Sequence, residues 1–236
     1  MANLKPIGTP ETREFDLEKD SLRELNQFLH SAVKSHCQIR VRNPNGAHSI
    51  ACGLNSELDV TICGHVGYYA AGMNKFATVT IEGNAGPGVA ENMMSGRVHV
   101  KGFASTAAGA SAHGGLLVID GDASLRCGIS LKGADIVVGG SVGSFSAFMA
   151  QAGRIVICGD AEDALGDSLY EAVIYVRGRV RSLGADARFE PMTEADRDIV
   201  KQLLASAGLA HEPAEFQRIA SSKNLYHWHA DANQEY

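Results

Sequence analysis

Seven glycines, Gly64, Gly83, Gly102, Gly121, Gly140, Gly159 and Gly178, recur every 19 residues with no insertion between them. A fixed period of this length restricts the chain to a stacked solenoid, because each repeat can bury its apolar face only against its neighbours. The same local text leads into each glycine, as in Leu58-Asp-Val-Thr-Ile-Cys-Gly64, Ala77-Thr-Val-Thr-Ile-Glu-Gly83 and Gly153-Arg-Ile-Val-Ile-Cys-Gly159.

Four residues before the glycines stand Val60, Val79, Val98, Leu117, Ile136, Ile155 and Ile174; two before stand Ile62, Ile81, Val100, Ile119, Val138, Ile157 and Val176. All are branched and aliphatic, and period 2 in such a run is a strand with one buried face. Two residues after the glycine come Val66, Ala85, Ala104, Ala123, Val142, Ala161 and Val180, so the chain bends and re-enters the core. The glycine itself meets either a positive φ or an approach too close for a Cβ. Small residues recur three positions on (Gly67, Gly86, Gly143) and seven on, where Gly109, Gly128 and Gly166 alternate with Ala71, Ala90 and Ala147. The pattern predicts an all-β fold, a single-stranded parallel β-helix of about seven 19-residue turns with short flanking helices. At about 4.8 Å per turn it would span roughly 34 Å. Nineteen is not a multiple of six and no i, i+6, i+12 aliphatic series occurs, which favours the right-handed form over the left-handed hexapeptide helix.

The position three before each glycine should face outward, and it begins polar with Thr61, Thr80 and His99. It then turns apolar, as Val118, Val137, Val156 and Tyr175. An apolar strip of that length calls for a cover, either the chain's own C-terminal helix or a partner subunit.

The repeats occupy 38–188, between an N-terminal arm with a capping helix (1–37) and a C-terminal helix with a docking tail (189–236). Residues 1–15 read as an extended arm. Ser21-Leu-Arg-Glu24 has capping-box spacing and opens a helix over 21–33 whose stripe is Leu22, Leu25, Leu29 and Val33. Residues 38–57, with Ile39, Val41 and the turn Asn43-Pro-Asn-Gly46, read as an imperfect first turn. Thr193-Glu-Ala-Asp196 caps a second helix with Ile199, Leu203, Leu204 and Ala207 on one face and Gly208 at its end. The tail carries Phe216, Ile219, Leu225, Tyr226, Trp228 and Tyr236, and aromatic anchors of this kind dominate interfaces. The candidate partner interface is therefore Val118, Val137, Val156, Tyr175, Phe216, Tyr226 and Trp228.

A net charge of −6 leaves no electrostatic footprint for nucleic acid or an acidic membrane. No apolar run approaches the ~20 residues of a membrane helix, and the N-terminus lacks the apolar region of a signal peptide. Five irregularly spaced cysteines suit a reducing compartment, so the expectation is a cytoplasmic protein. His227 and His229 could share a face of a strand, yet nothing nearby completes a metal site. Cys63 and Cys158 occupy equivalent positions five turns apart, roughly 24 Å, too far to pair. Asp122 and Asp160, with Ser141 between them, read as a solvated row rather than carboxylates facing one bond across a cleft. Gly86-Pro-Gly88 and Gly139-Gly140-Ser-Val-Gly143 lack the Lys-Ser/Thr of a phosphate loop. No catalytic, cofactor-binding or metal residue is assigned.

Longer motifs carry a resemblance. Gly67-Tyr-Tyr-Ala-Ala-Gly-Met-Asn74, Ala85-Gly-Pro-Gly-Val-Ala-Glu-Asn-Met-Met-Ser-Gly96, Cys127-Gly-Ile-Ser-Leu-Lys-Gly133, Asp163-Ala-Leu-Gly-Asp-Ser-Leu-Tyr-Glu-Ala172 and Ser182-Leu-Gly-Ala-Asp186 resemble the glycine-rich GXGXG domain at the C-terminus of the glutamate synthase large subunit. Free-standing versions of that domain are the nearest in form, and the likeness covers most of the chain. The resemblance implies a non-catalytic middle subunit of a three-subunit, glutamate-synthase-like enzyme of the N-methylglutamate synthase (methylamine–glutamate N-methyltransferase) type. It would join a class II amidotransferase-like subunit to an FMN-binding barrel subunit and help enclose the route of ammonia or methylamine. FMN, and iron–sulfur in some members, would reside in a partner and no cofactor in this chain. Two alternatives stay open: the β-helix subunit of a formylmethanofuran dehydrogenase or formyltransferase/hydrolase complex, and an independent carbohydrate-active β-helix enzyme.

Overall fold

The computed structural model describes residues 12–31 and 37–223. Eleven strands form one sheet in the order β1 (Thr12–Asp16), β2 (Cys37–Arg42), β3 (Leu58–Cys63), β4 (Thr78–Ile81), β5 (Arg97–Val100), β6 (Leu116–Ile119), β7 (Lys132–Val138), β8 (Ala152–Ile157), β9 (Val173–Val176), β11 (Gln217–Ser221) and β10 (Ala187–Glu190). From β1 to β9 every pairing is parallel. Val60, Val79, Val98, Leu117, Ile136, Ile155 and Ile174 pair in register, as do Ile62 through Val176, and all are buried. The two aliphatic columns read from the sequence are thus the core of a β-solenoid. A second wall stacks where Val66, Ala85, Ala104, Ala123, Val142, Ala161 and Val180 form successive parallel bridges.

The first turn is longer than the rest, since Ile39 pairs with Val60. The arm expected over 1–15 ends as a strand: Thr12–Asp16 adds to the sheet beyond β2, with Phe15 buried. α1 (Leu22–His30) carries the full Ser21/Glu24 capping box and buries Leu25 and Leu29. The side-chain amide of Asn26 donates to Ser49 O and accepts from Ala51 N–H, each at 3.0 Å, which fixes the helix over the N-terminal end of the core. It ends at His30, with Ser31 as its C-cap, and Val33 lies outside the described residues.

The repeated glycines stack on one another. Among the seven, Gly64 alone has a φ in the left-handed region. For the others the reason is contact. A Cβ on Gly83 would lie 2.6 Å from the Gly64 carbonyl carbon, and one on Gly178 would lie 2.3 Å from Gly159 O. Backbone bonds run along the column, from Gly102 N–H to Gly83 O at 3.1 Å through Gly178 N–H to Gly159 O at 3.0 Å. The wall after the bend has a conformation that periodicity does not reveal. Residues five, seven and nine positions past each glycine from Gly64 to Gly159 take positive φ, as in Tyr69, Ala71 and Met73, then Gly88, Ala90 and Asn92, then Ala107, Gly109 and Ser111. Left-handed backbone costs a non-glycine residue about 1–2 kcal/mol. It is held here because neighbouring turns accept from these N–H groups, Ala90 bonding Ala70 O at 2.9 Å and Asn92 bonding Ala110 O at 2.8 Å.

The C-terminal segment departs from the repeat. After β10, α2 (Glu194–Ala207) begins at a Thr193/Asp196 capping box and stops at Gly208 in the left-handed conformation. β11 then returns antiparallel and inserts between β9 and β10. No described helix is long and apolar enough to cross a membrane.

Candidate functional site

The apolar strip on the outer face of the sheet is already covered. Val118, Val137, Val156 and Tyr175 form a second core with Val200, Leu203, Leu204 and Ala207 of α2 and with Phe216, each at most 7% exposed. This corrects the candidate interface: those four rungs and Phe216 pack inside the chain and present nothing to a partner. Tyr226 and Trp228 lie outside the described residues. At the heart of this seat the Tyr175 hydroxyl donates to Asp196 Oδ1 at 2.7 Å, and Arg218 Nε approaches the same oxygen at 3.2 Å. Burial pushes the Tyr175 phenol well above its ordinary value, and the neighbouring Asp196 carboxylate adds to the rise. Burial also raises the Asp196 carboxyl, but hydrogen bonds from Thr193 and Tyr175 and the Arg218 charge outweigh it, leaving Asp196 below the usual carboxylate range.

α2 stops covering the sheet where the strip turns polar. Arg97 Nη2 donates to Ser206 O at 2.9 Å at the end of the helix, and beyond it the outward column continues as Thr80, Thr61 and Arg40. There a groove of about 300 Å³ lies open among Thr12, Gln38, Arg40, Asp59, Thr61, Thr78 and Thr80. At the boundary, His99 Nε2 meets Asp120 Oδ1 at 2.6 Å and Lys101 Nζ lies 3.6 Å from the other oxygen, so the carboxylate is shared between two bases.

The residues weighed for chemistry are engaged in holding turns together. One position past the glycines, Asp122 Oδ1 accepts from Ser141 N–H at 2.7 Å, Ser141 Oγ from Asp160 N–H at 2.9 Å, and Asp160 Oδ1 from Arg179 N–H at 2.8 Å. Asp122 and Asp160 therefore follow one another along the rod, each tying down the next turn, and do not converge on a shared site. The glycine-rich loops are spent in the same way. Gly139, Gly140, Val142 and Gly143 donate to carbonyls of adjacent turns, Ser141 to Asp122, and Gly86 and Gly88 to Val66 O and Thr106 O. A phosphate cradle needs such N–H groups free, so these loops do not fit a phosphate-bearing cofactor. Among the described residues no group of three His, Cys, Asp or Glu side chains could hold a metal, and no buried side-chain polar atom lacks a partner. His227 and His229 lie outside those residues. Burial pushes the thiols of Cys52 and Cys158 up to about 11 and that of Cys127 up to about 12, which makes them poor nucleophiles.

The exposed apolar side chains stand on another wall. Tyr68, Met73, Phe76 and Met94 are 46–52% exposed on the first turns; Leu125, Phe145 and Met149 are 44–49% exposed further along. The Phe145 and Phe148 rings meet edge to face, 6.1 Å between centroids. Between the two groups the columns four to nine past the glycine hold small residues, Gly88, Ala107, Ala110 and Ser111, while Phe103 stands 52% exposed at the corner of the same turn. Periodicity does not reveal this surface, because periodicity is carried by the columns that stay constant. The signal was in the variable ones: Tyr68 and Leu125 share a column with Pro87, Thr106 and Ser144, and Met73 and Met149 share one with Asn92, Ser111 and Ser130.

Fold and faces together define a parallel β-solenoid whose Asp122, Ser141 and Asp160 bind adjacent turns and whose exposed large apolar side chains lie mostly 4–12 residues past the glycines, with Phe103 and Phe189 elsewhere. No protein-family profile matches the chain. Over 58 residues it is 50% identical to Protein GlxC of Rhizobium meliloti (strain 1021), a stretch that makes up 24% of this chain and 25% of that protein. The match thus covers about a quarter of the curated relative's length.

Proposed function

We propose that the chain is a non-catalytic structural subunit of a glutamate-synthase-like enzyme of the N-methylglutamate synthase type. In this reading the rod joins an amidotransferase-like subunit to an FMN-binding, synthase-like subunit, which carries the flavin and any iron–sulfur cluster. The resemblance of its motifs to the glutamate synthase GXGXG domain supports the class, and the local identity to GlxC agrees with it. The observation that carries the bridging role is the run of exposed apolar side chains along the rod: one group at Tyr68, Met73 and Phe76 and another at Leu125, Phe145 and Met149, with Met94 and Phe103 exposed in the turns between. From Tyr68 to Leu125 is three turns and from Met73 to Met149 four, roughly 15–19 Å, enough for two partners to dock side by side. Exposed aromatic and methionine clusters of this kind mark interaction sites.

Purification of the chain from its native host, with the accompanying subunits identified, tests the reading. The expected companions are an amidotransferase-like and a flavin-containing subunit, with Met73→Asp releasing one of them and Met149→Asp the other. A formyltransferase-type companion, turnover by the isolated chain, or two variants that release nothing would each refute it.

A further inference from the structure

The sheet ends at β10, which pairs with β11 on one side and with no other strand among the described residues. In the register that pairs Ala187 with Ser221, Ser222 N–H donates to Asp186 O at 2.8 Å. Hydrogen-bonded residues alternate along an antiparallel pair, so Arg188 and Glu190 turn their backbone groups to β11 and Phe189 turns its own outward, while Ala187 N–H is taken by Gly184 O at 3.2 Å. Phe189 lies opposite Ile219, which lies opposite Ile174, and both isoleucines belong to the solenoid core. Phe189 is nevertheless 50% exposed. The last rung therefore leaves an aromatic ring half in water at the end of the core, beside two unused backbone groups. On the opposite face of the strand stand Arg188 and Glu190, which bond to each other at 2.7 Å, and the second oxygen of Glu190 is paired with Arg218 of β11.

We propose that β10 pairs antiparallel with β10 of a second copy of this chain about a two-fold axis through Phe189, joining two solenoids end to end. Such a contact must be self-complementary, and this strand is. Phe189 N–H and C=O would exchange bonds with those of the second copy across the axis. Pro191 has no N–H, so the pairing cannot extend further. The two Phe189 rings meet on the core side and cover each other. On the outer side Arg188 falls opposite Glu190 twice, at the close Cα spacing of about 4.5 Å typical of such positions. The charges also select the register. The neighbouring two-fold registers would set Arg188 against Arg188 or Glu190 against Glu190, which is unfavourable. The axis is perpendicular to the sheet, so both α2 helices stay on one side and both cores on the other. This pairing is independent of the bridging role proposed above, and the test needs no partner subunit.

Sedimentation equilibrium of the full chain over the micromolar range is expected to show a reversible dimer. Arg188→Glu should raise its dissociation constant about tenfold or more, because two attractive pairs become repulsive. The double variant Arg188→Glu with Glu190→Arg should restore it. Phe189→Asp, at a half-exposed position the fold tolerates, should give monomer with an unchanged circular dichroism spectrum, which separates loss of pairing from loss of folding. A wild-type monomer, a dimer indifferent to Arg188→Glu and Phe189→Asp, or no restoration in the double variant overturns the proposal. So does a monomer that dimerises only once residues 224–236 are removed, since the chain's own tail would then occupy this edge.

Discussion

At the scale of single residues, the period of 19 is enforced by contact. A residue with a side chain at Gly83 would drive its Cβ into the Gly64 carbonyl carbon at 2.6 Å, Gly64 O at 2.7 Å and His65 N at 2.7 Å, all backbone atoms with nowhere to move. Gly83→Ala must push adjacent turns away from each other, and overpacking of this kind costs about 1–3 kcal/mol. Gly46 is a useful contrast, with φ +71° and nothing within 4 Å of the place a methyl would occupy. Gly46→Ala bears the conformational term alone, about 1–2 kcal/mol, whereas Gly83→Ala forces backbone atoms apart. Urea midpoints of the two variants should therefore separate, with Gly83→Ala the less stable; equal midpoints would mean that stacking is not why the glycine is required. Both explanations of the glycine were open in the sequence, because identity at one column says that a Cβ is excluded and not what excludes it. The left-handed wall was hidden for the complementary reason. Ala71, Ala90 and Ala147 adopt φ of 53–59° where Gly109, Gly128 and Gly166 adopt 66–69°, and an alanine in the sequence gives no hint of that conformation.

At the scale of elements, α2 and its seat were legible because each carried its own pattern. The Thr193/Asp196 cap announced the helix, and four apolar rungs where polar ones belong announced that something covers them; α2 lies over those rungs. β10 and β11 were not legible. They are antiparallel, short and outside the repeat, so no column predicts their partners, and Phe216 could be read as a docking residue when it seals the edge of the α2 seat. The seat also has a pH signature. The Asp196 carboxyl is depressed in the folded chain, so its stabilising contribution is complete above the ordinary carboxylate pKa of about 4 and disappears as pH falls through the depressed value. Glu190, held down by hydrogen bonds and charge from Arg188 and Arg218, titrates in the same direction. Hydrogen-exchange protection of the α2 amides should therefore fall on acidification below about pH 4 while the amides of β4 to β7 remain protected. In Asp196→Asn, α2 should start less protected at neutral pH and lose less on acidification. Simultaneous loss across α2 and the strands would show instead that the helix and the solenoid open as one unit.

At the scale of the whole molecule, the solenoid is nearly one-dimensional: each turn touches the turns before and after it, and stability is a sum of such interfaces. Removing residues 65–83 should then be tolerated. The cut joins Gly64 to Asn84 and eliminates β4, yet Val60 would meet Val98 and Ile62 would meet Val100, so every column keeps its character. The α2 seat on Val118, Val137, Val156 and Tyr175 is untouched. A deletion of about half this length, 65–74, would instead leave only Gly64, Lys75, Phe76 and Ala77 between β3 and β4, too few to carry the chain round to a parallel partner. The 19-residue deletion is expected to give a folded chain with a cooperative urea transition and a smaller m-value, in keeping with the reduced surface exposed on unfolding; the shorter deletion should not fold. Two equally unfolded products would mean that the turns are not interchangeable units. The same cut removes Tyr68, Met73 and Phe76 from the first apolar group and leaves Leu125, Phe145 and Met149 in place. In a reconstituted assembly the bridging role therefore predicts selective loss of one subunit. Glutamine-dependent turnover should fall while turnover with free ammonia or methylamine persists, because the flavin-bearing side can still act on an amine supplied from solution. Equal loss of both activities would instead place the first turns against the synthase-like subunit itself.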